Sequence, residues 1–301
     1  VMTSAHCTIA VIVATRGRAQ EVRVLLEKLA HGSRKPDRIV IVGSSPDDWG
    51  GTVTLPLEPE TIVAPEPGLP RQRNAGVRHI LNGASEFPDV IAFFDDDFRP
   101  DSHWLEEAAA VFAAQSNVAG LTGVVLRDGA RSAAISENEA VNVIAGWVRP
   151  ESGSTARVPR LYGCNMAVRT GVFARAHFDE RLPLYGWLED LDFSGQVAKP
   201  SSGQLVTALG CAGVHLGSKG ARVSGRRYGY SQIINPLYLA GKGTCPKGLA
   251  AVLVTRALVS NSLRSVKGHP LFDYRGRLAG NVRAIIELIS GRAKPERIVD
   301  L

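Results

Sequence analysis

The chain has 301 residues, enough to bury a full core as one large α/β domain or as one domain with an appendage. Its 45% hydrophobic and 21% charged content is globular and argues against disorder. Four scattered cysteines, Cys7, Cys164, Cys211 and Cys245, make no CxxC pair, so buried thiols in a reducing compartment are expected rather than a zinc site or a disulfide frame. The net charge of +6 is unevenly placed: residues 1–215 hold 20 Lys and Arg against 25 Asp and Glu, and residues 216–301 hold 15 against 4. Such a basic C-terminal part suits an anionic membrane surface or a pyrophosphate. No Lys/Arg-rich run with interleaved aromatics occurs, which argues against nucleic acid as a partner. No signal peptide is recognised and no apolar run reaches the roughly 20 residues needed to cross a bilayer, so a cytoplasmic protein is expected.

Residues 8–14 read as a buried, β-branched strand, followed by the turn Thr15-Arg16-Gly17-Arg18 and a helix with Val22, Leu25, Leu26 and Leu29 at helical spacing. Residues 38–42 give a second strand ending in Gly43-Ser44-Ser45, which completes a right-handed βαβ unit. Neither GxGxxG nor GxxxxGK[ST] is present, so dinucleotide and P-loop fingerprints are not supported. A short third strand covers 61–64. Beyond the Pro67-Gly68 break, Arg71 and Arg73 ride on the first turns of a helix running to about Leu81. A helix start with two arginines suits a diphosphate, and a solvated basic turn is the plainer reading.

Val90 to Phe94 are five apolar residues in a row, the pattern of a central strand buried on both faces. The run ends in Asp95-Asp96-Asp97. In open α/β sheets ligands bind beyond the carboxyl ends of the strands. Three adjacent carboxylates repel one another unless something positive neutralises them, and a hard divalent cation, Mg²⁺ or Mn²⁺, does so while bridging to phosphates. The competing reading is an acidic turn with Asp101 as N-cap of the next helix. A strand follows over 119–126, and 127–157 read as a loop or insertion. Order resumes at 162–168, and Glu189, Asp190 and Asp192 stand at the head of a further helix, where dipole stabilisation alone would also explain them. Residues 204–209 and 211–215 read as two strands, the second ending in His215, which alone could equally be structural. Helices are expected over 222–240, 247–266 and 274–290. In the last, Leu278, Val282, Ile285, Ile286 and Ile289 form one apolar stripe.

These stretches, in this order from about Thr8 to Tyr238, resemble the family-2 glycosyltransferases of the GT-A fold. Val13-Ala14-Thr15-Arg16-Gly17-Arg18 looks like the opening nucleotide loop, Arg73-Asn74-Ala75-Gly76 like the Arg-Asn-x-Gly helix start, and Asp95-Asp96-Asp97 like the Asp-x-Asp metal motif. The segment from Gly163 to Arg169, with Asn165, looks like the one under the donor sugar. Glu189-Asp190 resembles the Glu-Asp pair whose Asp is the usual catalytic base. His215-Leu216-Gly217-Ser218 with Asn235-Pro236-Leu237-Tyr238 resembles the closing region, whose His can ligate the metal. One departure stands out: family members often carry an Asp after the second strand, where this chain has Gly43-Ser44-Ser45, so base recognition passes to Ser44, Asp47 or backbone.

The resemblance implies an α/β fold with a mixed, mainly parallel sheet flanked by helices and a helical C-terminal extension. It implies a catalytic domain over 1–220 (donor half about 1–125, acceptor half about 126–220) and a basic helical part over 221–301. The expected activity is inverting transfer of a sugar from a nucleoside-diphosphate sugar to a hydroxyl of a glycan or lipid-linked glycan, in cell-envelope or exported polysaccharide synthesis. Thr15, Arg16, Arg18, Ser44, Arg71, Arg73, Asn74, Asp95, Asp96 and Asn165 would hold the donor, and Asp95, Asp97 and His215 the Mn²⁺ or Mg²⁺. Asp190 would accept the acceptor's proton, Glu189 and Asp192 would orient the acceptor or the base, and Trp187 with Asp192 would hold the acceptor. A sugar-nucleotide-forming nucleotidyltransferase would need a basic Gly-rich triphosphate loop, which Thr15-Arg16-Gly17-Arg18 does not supply. A non-catalytic nucleotide-sugar binder would have no use for Asp190. The C-terminal helices would lie on the inner face of the plasma membrane, with packing on the sheet or a homo-oligomeric contact as the alternative.

Overall fold

The computed structural model describes residues 7–51, 54–82, 86–198, 203–218, 223–267, 269 and 271–301. The chain forms two compact units: Val1–Pro67, Gln72–His177 and Val197–Ala221 make the first, and Gly68–Arg71, Phe178–Gln196 and Arg222–Leu301 the second. The expected acceptor half, 126–220, is thus divided between them.

The first unit opens with β1 (Ile9–Ala14), α1 (Ala19–Ala30), β2 (Arg38–Gly43) and β3 (Glu60–Val63). It continues through α2 (Leu69–Asn82), whose first three residues belong to the second unit, then β4 (Val90–Asp95), β5 (Phe98–Pro100), α3 (Trp104–Ala114) and β6 (Val118–Asp128). After α4 (Glu137–Ala145), β7 (Thr155–Arg157) and β8 (Asn165–Arg169), the chain passes through α5 (Glu189–Val197), which belongs to the second unit up to Gln196, and returns to the first in β9 (Gln204–His215). The strands form one mixed sheet in the order β3-β2-β1-β4-β8-β6-β9-β5, with β7 pairing β9. β1 lies parallel between β2 and β4, and all three are apolar and buried on both faces, as their uninterrupted Val/Ile/Phe runs require. The other edge of β4 pairs antiparallel with β8, Phe94 opposite Asn165. Val22, Leu25 and Leu26 of α1 and Trp104, Leu105 and Phe112 of α3 complete the main core.

The segment 127–157, expected as a loop, carries structure. β6 extends to Asp128, α4 is capped by Ser136 accepting from Glu139 N–H, and β7 adds an edge strand. α4 buries only Ala140, so its sequence shows too little apolar periodicity to betray a helix. The two strands expected on either side of Gly210 are one. Gly210 is no break: a Cβ there would lie 2.5 Å from Oε2 of Glu107, so the residue permits close approach of α3. The parallel pairing of β6 with β9 shifts register between Val118 and Gly120, Gly123 and Val124, and Val125 and Arg127, and ends with Asp128 opposite His215. Asp101 does not occupy the N-cap of α3. His103 does, while Asp101 accepts from His103 N–H (3.0 Å) and pairs with Arg149 (2.5 Å).

The second unit is helical: α6 (Gly225–Lys242), α7 (Lys247–Lys267) and α8 (Tyr274–Ile289). α6 and α8 meet backbone to backbone, because a Cβ on Gly229 or on Gly280 would lie 2.0 Å from the carbonyl oxygen of Arg277 or Arg226. The seam is polar. Asn281 donates to Gly229 O (2.7 Å), Asn261 donates to Asn281 Oδ1 (2.7 Å) and to Gln232 (2.9 Å). Fully buried Glu287 accepts from Arg297, Tyr230 and Arg283 at 2.7 Å each. By length and composition α7 is apolar enough over Lys247–Val266 to cross a membrane, with mean hydropathy 1.2. This corrects the expectation that no segment would reach that length.

Hydrogen bonding from Arg297, with Tyr230 and Arg283, outweighs burial and lowers the Glu287 carboxyl from 4.5 to about 2. A carboxyl that titrates lower when folded stabilises the fold above its unfolded value, and that stability fades as pH falls towards the folded value. Glu287→Gln should therefore cost about 1–3 kcal/mol at neutral pH. In urea titrations the gap to wild type should narrow from about pH 5 downwards; a gap that stays constant to about pH 3 would contradict the assignment.

Candidate metal and nucleotide site

The site grows from the carboxyl ends of β1, β2 and β4. Register sets Ala14 beside Asp95, so the next residues, Thr15 and Asp96, also meet: Thr15 Oγ1 donates to Asp96 at 2.8 Å. The β1 and β2 loops are fastened together by Asp48, a residue the sequence reading did not single out. Its carboxylate accepts from the backbone N–H of Gly17 (2.7 Å), Ser44 (2.6 Å) and Ser45 (3.1 Å). Asp47, named instead for base recognition, is exposed. The signal for Asp48 was present in Ser45-x-x-Asp48, a capping box at the single helical turn Pro46–Trp49. Ser44 Oγ is buried and has no hydrogen-bond partner among the described residues. Arg16 is exposed on the β1 loop.

The three aspartates have different partners. Asp95 accepts from Arg73 Nη2 at 2.8 Å. Asp96, buried, accepts from Arg18 Nη1 at 2.8 Å as well as from Thr15. Asp97 accepts from Ser218 N–H at 2.7 Å and faces Arg18 Nη1 and His215 Nε2, each at 3.3 Å. Burial raises Asp96 to about 7, against Arg18, with the charge of Asp97 adding to the rise. For Asp97 burial also opposes ionisation, but His215, Arg18 and the Ser218 N–H hold it at about 2. Burial likewise opposes charge on His215, and Asp128 and Asp97 overcome it, raising the imidazole to about 10.

The sheet delivers His215 to this place. β5 sets Phe98 opposite His215, and β6 sets Asp128 there on the other side. Asp128 Oδ1 lies 3.0 Å from His215 Nδ1 and is itself fixed by Tyr162 OH (2.9 Å) and Ala130 N–H (2.9 Å). One ligand atom from each of Asp95, Asp97 and His215 lies within 4.8 Å of the other two. Two carboxylates and an imidazole suit Mn²⁺ or Mg²⁺. A carboxylate on the far ring nitrogen is the support that metal-ligating histidines use, so the residues present fit a metal. Beneath them Arg99, 1% exposed, donates to the Asp96 carbonyl (2.9 Å), to Glu137 (2.8 Å) and to Glu21, tying the acidic loop to α1 and α4.

Three residues expected against the donor, Arg73, Asn165 and Asn74, are interior. Arg73 is 2% exposed and donates to the Gly163 carbonyl (2.8 Å) as well as to Asp95, so it orients that carboxylate. Asn165 is fully buried, its Oδ1 accepting from Thr122 Oγ1 (2.8 Å) and Gly123 N–H (3.1 Å), while Nδ2 is buried and unpartnered among the described residues. Asn74 is buried as well.

The second unit holds the remaining candidates. Arg71 lies 3.9 Å from Glu180. Glu189 is buried, and half-buried Asp190, in the first turn of α5, accepts from Leu191 N–H (2.8 Å). Just before them Leu184 and Leu188 take φ of +61° and +72°, backbone that bulky side chains rarely adopt and that gathers at functional sites. Trp187 meets Tyr228 edge-on at 5.8 Å, and both line a small pocket with Tyr185, Pro183 and Asn235. Asp192 is fully buried, bonded to Lys242 (2.7 Å), Thr244 (2.5 Å) and Gln196 (2.8 Å), which occupies both of its oxygens.

No protein-family model matches this chain, and no curated protein matches it by sequence. Solved structures match it by shape. The mannosyltransferase PcManGT from Pyrobaculum calidifontis, in complex with GDP-Man and Mn²⁺, superposes with a TM-score of 0.52 at 16% identity over 94% of this chain and 86% of its own. S. aureus TarS 1-349 in complex with UDP gives 0.55 at 16% identity, over 95% of this chain and 83% of its own. GalNAc-T7 with UDP, GalNAc and Mn²⁺ gives 0.51 at 12% identity, over 94% of this chain and 56% of its own. At such identities the likeness is one of fold. The mixed, mainly parallel sheet flanked by helices, with a helical C-terminal part, is the GT-A fold of these glycosyltransferases.

Proposed function

We propose that this protein is a metal-dependent, inverting glycosyltransferase that moves a sugar from a nucleoside-diphosphate sugar to an acceptor hydroxyl, in the building of a cell-envelope or exported polysaccharide. The observation that carries the reading is the Asp95, Asp97 and His215 cluster beyond the sheet's carboxyl edge. It occurs in a fold whose solved members hold GDP-Man with Mn²⁺ and UDP-GlcNAc. Mn²⁺ or Mg²⁺ held by those three side chains would offset the charge on the departing diphosphate. Arg73 and Arg18 keep the carboxylates aimed. Ser44 Oγ, buried without a partner, is the polar group at the β2 loop with capacity left for the nucleotide, and Arg16 on the β1 loop adds a cation for its phosphates. Asp190 accepts the proton of the attacking hydroxyl, which is too weakly acidic to ionise alone. Glu189 orients the acceptor, and Trp187 with Tyr228 offers it an aromatic wall.

Two experiments test this. In thermal shifts with UDP-, GDP- and dTDP-sugars plus Mn²⁺, the matching donor at ~100 Kd should add roughly 2.7 kcal/mol of stability. Asp97→Ala should abolish the Mn²⁺-dependent part and His215→Ala should reduce it. Unchanged Mn²⁺ dependence in Asp97→Ala removes the metal assignment. In turnover with radiolabelled donor, Asp190→Asn should bind donor normally and lose ~10²–10⁴ in rate. Glu189→Gln should impair acceptor binding more than chemistry. Full activity in Asp190→Asn transfers the base to another residue, and pyrophosphate release from a nucleoside triphosphate and a sugar phosphate would make the protein a nucleotidyltransferase instead.

A further inference from the structure

The α7–α8 pair is folded inside out. α8 buries Gly280, Asn281, Ala284 and Glu287, and exposes Val282, Ile285, Ile286 and Ile289. α7 buries Ala250, Ala257 and Asn261, and exposes Val252, Val259, Leu263 and Val266. At 3.6 residues per turn each exposed set falls on one line of its helix. The exposure is large, 83% for Ile289, 78% for Val266 and 69% for Leu263. A helix on a water-soluble protein turns such a stripe inward. Here the inward side is held by what holds helices together in lipid: glycines that let backbones touch, and asparagines bonded across the seam.

We propose that the outward face of α7 and α8 seats in the headgroup layer of an anionic lipid bilayer. Charge selects that occupant. Residues 247–301 contain ten Lys and Arg against four Asp and Glu. Arg256 stands exposed on the α7 stripe, Arg275 is exposed at the head of α8, and Arg292 and Lys294 are exposed just past its end. Apolar residues rimmed by exposed cations match acyl chains below anionic phosphates. A second copy of this chain would set like charges against each other across a two-fold contact. The helices lie on the bilayer and do not span it. Arg256 falls near the middle of α7, and α8, with 16 residues, is about 24 Å long against a core of about 30 Å.

The full chain should float with phosphatidylcholine vesicles containing phosphatidylglycerol at low salt, and far less with phosphatidylcholine alone or at high salt. The double variant Leu263→Glu with Ile286→Glu, at positions 69% and 50% exposed, should lower binding by more than about tenfold. Reversing Arg256 and Arg275 to Glu should lower it by about fivefold for each charge removed. Circular dichroism and thermal melting without ligand on each variant confirm an intact fold, independently of whether glycosyl transfer occurs. The proposal falls if wild type does not float with anionic vesicles at low salt, or if the Leu263→Glu/Ile286→Glu variant floats as well as wild type. It falls too if light scattering shows a wild-type dimer that this variant makes monomeric while neither binds vesicles; the face is then a contact between copies.

Discussion

The first unit is built around a concentration of negative charge it must neutralise. Asp95, Asp96, Asp97 and Asp128 gather at one end of the sheet, three of them on consecutive residues. Carboxylates taken out of water cost several kcal/mol each unless paired and hydrogen-bonded. The surrounding sequence answers with Arg18 and Arg73 against the triplet, His215 between Asp97 and Asp128, and backbone N–H groups where the loops turn. Arg99 performs the same service one layer down, for the Asp96 carbonyl, Glu137 and Glu21. The cationic residues that a sequence reader assigns to a phosphate are thus largely committed to holding carboxylates still. Preorganisation of the cluster is what they contribute.

That commitment explains what the sequence disclosed. Strand content was legible because β1, β2 and β4 are buried on both faces and read as unbroken apolar runs. The triplet was legible because such a run cannot end in three carboxylates without a reason. Arg73 and Asn165 carried the right residue types in the right motifs, but nothing linear in sequence tells a side chain aimed at a ligand from one supporting a neighbour. Asp128 was passed over because its partner, His215, lies far along the chain. Asp48 had a local signal in its capping box with Ser45, but its hold on Gly17, across to the β1 loop, has none in the linear sequence. α4 escaped notice for another reason: a nine-residue helix that buries a single alanine has hardly any pattern to show. The α8 stripe was seen, but periodicity reports that a face is apolar and is silent on which way it turns.

The second unit sets directional polar bonds beside its apolar clusters, one of them formed by Tyr230, Ile233, Ile234, Ala257, Ala284 and Ile298. Its interior bonds, Asn261 to Asn281 and Glu287 to Tyr230, Arg283 and Arg297, are directional, so they fix the rotation of α7 and α8 about their axes. Apolar packing alone would tolerate several rotations, whereas an asparagine ladder and a four-membered ionic node tolerate one. The backbone contact at Gly229 and Gly280 fixes the spacing in the same way.

The register shifts along β6 and β9 carry a consequence for how this chain can vary. Successive residues of a strand face opposite sides of the sheet, so every shift changes which side of the sheet the later residues point to. Asp128 and His215 meet at the end of the pairing only because the shifts before them sum to the right offset. Loss or gain of one residue between Gly210 and Val214 would turn His215 to the opposite face, leaving the strand, its burial and its hydrogen bonding otherwise plausible. Point substitutions there act through packing, but insertions and deletions act on the site itself. The location of the imidazole is stored in this protein as a count of residues along an ordinary-looking strand.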